Sequence, residues 1–304
     1  MKKDKTMSLR QRLNTESAAG VVCTLPFTFG FLFFMLIPMA ISLYYAFCDY
    51  TILAPAQFSG LKNLQNLIAD ATFWKSLGVT FKFAIISVPL RLLFALIVAL
   101  LLFQSTKMTG IYRAAYYLPS ILGGSVAIAI LWKRMFATDG LINVALKAVG
   151  IKGAEGFSWF GNEQAALWTL IILAVWQFGS SMLIFLAALK QIPTSLYEAA
   201  QVDGSNSVQK FFQITLPLLT PNIFFNLVMQ MINGFLAFTQ CQIITQGKPL
   251  DSTLFYTVYM YQQSFLFNNA GYGACMAWVM LILIALFTGF LFWTKKFWVY
   301  EGGF

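Results

Sequence analysis

Long stretches without a charged side chain constrain this sequence more than any other feature. Six of them cover most of the chain: residues 17–48, 83–104, 114–132, 164–189, 211–247 and 252–294, with Arg91 as the one charge inside them. A hydrocarbon core about 30 Å thick needs about 20 apolar residues per crossing helix, so each stretch is about long enough to cross a membrane. Only 10% of the residues are charged, against roughly a quarter in soluble domains. The prediction is therefore an all-α membrane protein with six transmembrane helices.

The two longest stretches exceed one crossing and are predicted to divide. An interior proline removes a backbone hydrogen bond and clashes with the preceding turn, so Pro217 and Pro221 divide residues 211–247. Tyr and Trp favour the headgroup level of a membrane, and the Tyr-rich residues 256–267 are predicted to lie at the interface. The predicted helices are a fifth that begins near Pro221 or Asn222 and a sixth over residues 272–294.

Basic residues near the helix ends predict the orientation, because cytoplasmic loops of membrane proteins are enriched in Lys and Arg. With six crossings, the basic N-terminus, the short loop with Lys107 and Arg113, and the final Lys295 share one side. We therefore expect a cytoplasmic basic N-terminus over residues 1–16, a transmembrane domain over residues 17–304, and both termini in the cytoplasm of a bacterial inner membrane. The net charge of +9 is expected to bind anionic lipid headgroups and not nucleic acid.

The sequence offers little for covalent chemistry. It has no histidine and few acids, and its four cysteines, Cys23, Cys48, Cys241 and Cys275, have no paired spacing. The phosphate-binding pattern G-x-x-x-x-G-K-[ST] does not occur. We therefore predict no catalytic residue, no metal site and no bound cofactor, and we expect any ATP to be bound by another protein.

A polar segment lies between the fourth and fifth helices, on the side predicted to be cytoplasmic. Thr194 or Ser195 is predicted to cap a short helix, with Glu198 completing a capping box, and Gly204 is predicted to end it. A second short helix over residues 207–215 is predicted to return the chain to the membrane. Two short helices of this kind form a knob suited to a groove on another protein.

The same segment carries a spaced motif: Glu-Ala-Ala, two residues, Asp-Gly, nine residues and Ile-x-Leu-Pro. Its residues are Glu198, Ala199, Ala200, Asp203, Gly204, Ile214, Leu216 and Pro217. The motif resembles the signature loop of ABC importer permeases. The resemblance implies the ABC type I importer permease architecture, with a coupling loop over residues 190–221 that docks into a cleft of a separate ATPase subunit. The alternative is an amphipathic connector with a good helix cap and no partner.

Three further segments extend the resemblance. Residues 112–119 are similar to the start of the family's third helix, and residues 176–182 and 298–302 are similar to its carbohydrate-importer branch. The resemblance is strongest over residues 80–296. It implies a non-catalytic subunit that forms half of an alternating-access path. The implied partners are a second homologous permease subunit, two ATPase subunits that bind ATP and Mg, an extracytoplasmic substrate-binding protein, an oligosaccharide and membrane lipid.

A polar stripe on the predicted fifth helix indicates a path for a hydroxyl-rich substrate. Asn226, Gln230, Asn233, Ala237 and Gln240 follow spacings of four, three, four and three, which places them on one helix face. Amides in lipid are costly, so this face is expected to look into protein or water. The resemblance implies that the path is lined by Trp176, Gln177, Ser180, Gln230 and Asn233. The alternative is that these side chains hold neighbouring helices together.

Arg91 lies deep within the second predicted helix. A charge near the bilayer centre costs roughly 2.5–3.5 kcal/mol on insertion scales, so it needs water, a partner or a ligand. One hypothesis adds Arg91 to the substrate path, where it attracts an acidic oligosaccharide. The other is that its long stem reaches a carbonyl, the interface or a partner subunit.

Two other function classes stay open on the sequence. A secondary transporter driven by an ion gradient favours inverted repeats and carboxylates within the spans, and the sequence shows no clear repeat and no central acid. A membrane scaffold or assembly factor needs the polar stripe but no ATPase.

Overall fold

The computed structural model describes residues 16–103, 109–151, 153 and 155–300. Residues 1–15, Lys107, Glu301 and Gly302, on which some predictions rest, lie outside these ranges. The helices are α1 (Glu16–Phe31), α2 (Ile37–Ala46), α3 (Lys62–Ala69), α4 (Ala71–Phe103), α5 (Thr109–Leu122), α6 (Val126–Met135), α7 (Leu141–Ala148), α8 (Glu163–Trp176), α9 (Gly179–Gln191), α10 (Thr194–Val202), α11 (Ser207–Lys210), α12 (Leu216–Phe235), α13 (Thr239–Ile244), α14 (Tyr256–Tyr261) and α15 (Ala270–Trp298). The strands are β1 (Cys48–Thr51) and β2 (Ala54–Phe58), and the π-helical turns are Leu32–Leu36, Phe211–Thr215 and Gln262–Leu266.

Long apolar helices dominate the described part of the chain, as predicted. Five are long and apolar enough to cross a membrane: Gly20–Ala46, Ala71–Phe103, Glu163–Gln191, Ser207–Ile244 and Ala270–Trp298. The third predicted crossing corresponds to α5 and α6, which are bent by 98° at their junction. The described residues therefore form five candidate spans, or six if the bent pair is one span, and the chain is a multi-pass membrane protein.

The fifth span begins earlier than predicted. Its helical backbone runs without interruption from Ser207 to Phe235, so the separate short helix expected over residues 207–215 is part of the span. The π-helical turn Phe211–Thr215 widens the helix just before Pro217, where the Leu216 N–H donates to the Phe211 carbonyl. Pro217 follows this turn directly, at the second position of α12, and the helix continues through it, so this proline does not divide the span.

The second span also begins earlier than predicted, at Ala71 and not near Phe83. The charge-free stretch begins directly after Lys82, yet both Lys82 and Lys75 lie inside α4. The Lys75 ammonium donates to the Leu250 carbonyl at 2.5 Å, because a long lysine stem reaches a polar partner beyond the apolar region. A charge near the end of a span is therefore a poor marker of the helix boundary.

The Tyr-rich segment is packed within the protein. Tyr256 and Tyr259 of α14 are buried, and the Tyr259 hydroxyl donates to the Asp70 carboxylate at 2.5 Å. The Tyr256 N–H donates to the Thr80 hydroxyl at 2.8 Å. These bonds attach α14 to Asp70 and to the N-terminal part of α4, and the position of this segment at the membrane interface stays a prediction.

The chain divides into two compact units, and the first comprises residues 16–67 and 263–278 of the described chain. It contains an antiparallel hairpin of β1 and β2, which corrects the all-α prediction. The Asn63 side-chain amide donates to the Ala46 carbonyl at 3.0 Å and to the Cys48 carbonyl at 2.8 Å. Pro55 disfavours a helix in this segment. The Asn63 amide supplies the hydrogen-bond donor for two carbonyls at the point where the chain leaves α2.

The second unit comprises residues 68–262 and 279–300 of the described chain. Its α4 packs against α8, α9 and α12, with Ala84, Ala95 and Ala99 fully buried. Small residues let membrane helices approach closely. Gly179, at the start of α9, has no room for a Cβ, which would overlap the Tyr116 carbonyl of α5. This close packing brings the polar residues of four spans together.

Candidate functional site

A cavity of about 290 Å³ lies within the second unit, bordered by α4, α8, α9, α12 and α13. Its polar lining consists of Ser87, Arg91, Gln177, Ser180, Gln230, Asn233 and Gln240. Phe83, Leu170 and Phe255 belong to its apolar wall. An apolar wall with a few convergent polar groups is typical of sites for small ligands, and amides and hydroxyls of this kind both donate and accept hydrogen bonds.

The fourth span is broken where it meets the cavity. Helix α8 ends at Trp176 and α9 begins at Gly179, so the Gln177 carbonyl is free to accept from other spans. It accepts from Arg91 Nη2 at 2.5 Å and from the Ser120 hydroxyl at 2.8 Å. The Ser120 oxygen in turn accepts from the Ser180 N–H at 3.0 Å. One carbonyl and one hydroxyl thus join the second, third and fourth spans beside the cavity.

Arg91 lies at the centre of this junction. Its guanidinium reaches a backbone carbonyl, which is the arrangement that the second of the two hypotheses expects. Its Nε is buried and has no hydrogen-bond partner among the described residues. The side chain therefore both closes the break in the fourth span and contributes to the cavity lining.

The predicted stripe of the fifth span continues into the cavity. Gln230 and Asn233 of α12 and Gln240 of α13 line it. The Gln230 amide donates to the Ser181 hydroxyl at 3.2 Å, and the Gln240 amide donates to the Gly123 carbonyl at 3.0 Å. These amides therefore also connect helices, so the lining and the helix-joining interpretations both apply to them.

The structure brings together five of the six residues predicted for the substrate path: Arg91, Gln177, Ser180, Gln230 and Asn233. Trp176 is not part of the lining, and its ring lies 5.9 Å from the ring of Trp132. Asn226 of the stripe is buried elsewhere on α12, where its amide donates to the Asn222 carbonyl at 3.0 Å.

Two serines at this site were missed. Ser87 lines the cavity, and its place four residues before Arg91 and four after Phe83 puts all three on one face of α4. That spacing was a usable signal. For Ser120 the sequence held no such signal. Its partners are a carbonyl and an N–H at the break of the fourth span, and that break cannot be recognised in an apolar sequence.

The segment between the fourth and fifth spans exposes half of the motif. Glu198, Ala199, Asp203 and Gly204 are exposed. Neither Glu198 nor Asp203 forms an ion pair with another described residue. In contrast, Ile214, Leu216 and Pro217 are half-buried at the start of the fifth span. The motif therefore joins an exposed acidic surface to a membrane helix.

The local structure of this segment differs from the prediction in its caps. Pro193 occupies the cap position of α10, and no side chain caps that helix, because the Thr194 and Ser195 positions fall inside its first turn. The capping box occurs at the next helix, where Asn206 and Gln209 bond reciprocally. Gly204 follows α10 with φ +77°, a conformation that glycine adopts without steric cost, and this prediction is confirmed.

The same fold is found in a solved ABC transporter. The chain superimposes on a chain from the crystal structure of a bacterial alginate ABC transporter in complex with alginate pentasaccharide-bound periplasmic protein. The TM-score is 0.79, and the match covers 95% of this chain and 98% of that chain at 20% identity. The two chains therefore share one fold.

Sequence comparison identifies the family. Residues 92–296 match the family described as binding-protein-dependent transport system inner membrane component, and the chain belongs to this family. It is 50% identical over 297 residues, 97% of this chain and 96% of the relative, to the probable ABC transporter permease protein YesP of Bacillus subtilis strain 168. It is 32% identical over 282 residues, 90% of this chain and 88% of the relative, to the arabinooligosaccharides transport system permease protein AraP of the same strain. Family membership favours ATP-driven transport over the ion-gradient and scaffold interpretations.

Proposed function

We propose that this chain is the transmembrane subunit of an ATP-driven importer of oligosaccharides. The single observation that carries the proposal is the polar cavity between the spans, joined through the fifth span to an exposed acidic loop. The relative AraP, named for the transport of arabinooligosaccharides, supports the carbohydrate class. The chain itself performs no catalysis and binds no cofactor, since ATP and Mg belong to the partner ATPase.

The cavity is the part of the translocation path that this subunit supplies. A sugar leaving water needs a partner for each hydroxyl, because an unpaired buried hydroxyl costs about 1–3 kcal/mol. Gln177 at the break of the fourth span, Ser180 on α9, and Gln230 and Asn233 on α12 offer such partners. Phe83 and Phe255 offer aromatic faces for the apolar side of a sugar ring. A second homologous permease supplies the other half of the path.

The loop over residues 190–221 couples this path to ATP hydrolysis. Glu198 and Asp203 are exposed and form no ion pair with described residues, and Ala199 beside them leaves room for close approach. A cleft on each of two ATPase subunits receives the loop of one permease. An extracytoplasmic binding protein delivers the sugar from the other side, and both chain termini lie in the cytoplasm of a bacterial inner membrane.

Glu198→Ala tests the coupling role. The complex is expressed with its partner subunits, and both co-purification of the ATPase and ATP-dependent oligosaccharide uptake are measured. Loss of a charge-assisted contact, worth about 1.5–3 kcal/mol, is expected to lower ATPase retention or uptake about tenfold or more. Glu163→Gln is the matched control, because Glu163 is an exposed acid in the first turn of α8, away from the loop. Unchanged retention and uptake in Glu198→Ala would show that the loop does not couple.

A further inference from the structure

A hydrogen bond between two hydroxyls joins the exposed loop to the fifth span. The Tyr197 hydroxyl of α10 lies 2.9 Å from the Thr215 hydroxyl at the end of the π-helical turn. The Thr215 hydroxyl also lies 3.3 Å from the Lys210 carbonyl, to which it donates. A threonine hydroxyl has one proton, so Tyr197 is the donor in the bond between the two side chains.

The bond lies at a protected point of the loop. Thr215 is 6% exposed and Tyr197 is half-buried, whereas Glu198, the next residue along α10, is exposed. Among the described residues of α10, Tyr197 alone forms a side-chain hydrogen bond to the fifth span. Otherwise α10 is connected to that span by residues 203–206, which contain Gly204 at φ +77°. The Tyr197–Thr215 bond adds a second, side-chain connection between α10 and the span.

The fifth span continues from this bond to the cavity. Thr215 is followed directly by α12, and Gln230 and Asn233 lie fifteen and eighteen residues further along the same helix. At about 1.5 Å per residue the distance from Thr215 to Gln230 along the helix is about 22 Å. A displacement of Tyr197 therefore acts on the cytoplasmic end of the fifth span, and the same span carries the cavity-lining amides Gln230 and Asn233.

We propose that the Tyr197 and Thr215 hydroxyls form the joint through which movement of the loop reaches the fifth span. They are positioning residues: Tyr197 contacts neither the sugar nor the nucleotide, and it acts by fixing α10 to the span. The inference rests on the proposed function, because the loop must first be moved by an ATPase.

Removal of either hydroxyl tests the joint in the assembled complex in lipid vesicles. Tyr197→Phe removes the donor and keeps the ring, and it leaves the Thr215 bond to Lys210 in place. The number of sugar molecules transported per ATP hydrolysed is expected to fall about threefold to tenfold, the range for loss of one hydrogen bond. Thr215→Val is expected to have a similar effect, and the double variant is expected to be no worse than the more impaired single variant, since contacting residues are not additive.

Rescue and control variants separate this role from a general loss of structure. Thr215→Ser keeps the hydroxyl and is expected to retain wild-type coupling. Tyr300→Phe removes a hydroxyl from an exposed tyrosine whose backbone, not its side chain, bonds to Thr220, and it is expected to leave coupling unchanged. ATPase retention is expected to be unchanged in Tyr197→Phe, which distinguishes it from Glu198→Ala.

The outcomes are separable from those of the proposed function. If the wild-type complex transports sugar with ATP and Glu198→Ala impairs it, but Tyr197→Phe and Thr215→Val keep the wild-type ratio of sugar to ATP, the joint is refuted and the coupling loop stands. Additive losses in the double variant would also refute it. If the wild-type complex shows no ATP-dependent uptake, the proposed function fails, and the joint fails with it.

Discussion

Gly179→Ala is expected to disrupt the junction beside the cavity. Gly179 is buried at the start of α9, and a Cβ at this position would overlap the Tyr116 carbonyl and would meet the Ser120 hydroxyl at 3.0 Å. The obstacle is mainly backbone of α5, which cannot rotate away as a flexible side chain does. Helices α5 and α9 must therefore separate to admit one methyl group.

Two opposing terms set the magnitude. Alanine in place of a helical glycine is favourable by about 0.5–1 kcal/mol. Overpacking of a close contact costs about 1–3 kcal/mol, and separation of the helices also weakens the Ser120 bonds to Gln177 and Ser180, worth about 0.5–1.5 kcal/mol each. The net effect is expected to be destabilising by about 1–3 kcal/mol.

Gly289→Ala is the matched control. Gly289 lies within α15, and a Cβ there meets no atom within 4 Å, so this variant is expected to keep or slightly raise stability. Thermal unfolding of the purified complex in detergent compares the two variants, and uptake assays follow the consequence for the cavity. If Gly179→Ala unfolds at or above the midpoint of Gly289→Ala, the close contact between α5 and α9 does not exist as described.

Two predictions concern the cavity itself. Arg91→Gln is expected to lower uptake of neutral and acidic oligosaccharides by the same factor, because Arg91 donates to the Gln177 carbonyl. If parallel uptake assays show a loss for acidic sugars only, the guanidinium binds the ligand instead. Gln230→Leu is expected to lower oligosaccharide uptake about threefold to tenfold through loss of one hydrogen bond, while Asn226→Leu, outside the cavity lining, is expected to preserve the uptake rate per folded complex. Equal losses in Gln230→Leu and Asn226→Leu would mean that position in the cavity does not matter.

The sequence predicted the spans well because an apolar stretch of sufficient length is a local property. It predicted the fifth span poorly at its start, because the effect of Pro217 depends on the turn that precedes it. The π-helical turn Phe211–Thr215 accommodates that proline, and such a turn cannot be predicted from composition. The bend of 98° between α5 and α6 was missed for a similar reason, since both halves are apolar.

The cavity lining was predictable where it depended on helical spacing. Gln230, Asn233, Ala237 and Gln240 recur at intervals of three, four and three residues, and all four line the cavity. Asn226 follows the same spacing and lies outside it, because the cavity reaches only part of α12. Spacing identifies a helix face, and the depth of a cavity along that face is set by the neighbouring spans.

Arg91 and the broken fourth span account for each other. A guanidinium within a span needs an acceptor, because it cannot remain unpaired in hydrocarbon. A helix that ends within a span leaves carbonyls that need donors. The Arg91 bond to the Gln177 carbonyl meets part of each need, although the Arg91 Nε has no partner among the described residues. The charge of Arg91 can be read from the sequence, but the break in the fourth span cannot. The hydrogen-bond partner of Arg91 could therefore not be predicted. The cavity lies at this break: Arg91 and Ser120 bond to the Gln177 carbonyl, and Gln177 and Ser180 line the cavity together with the amides of the fifth span.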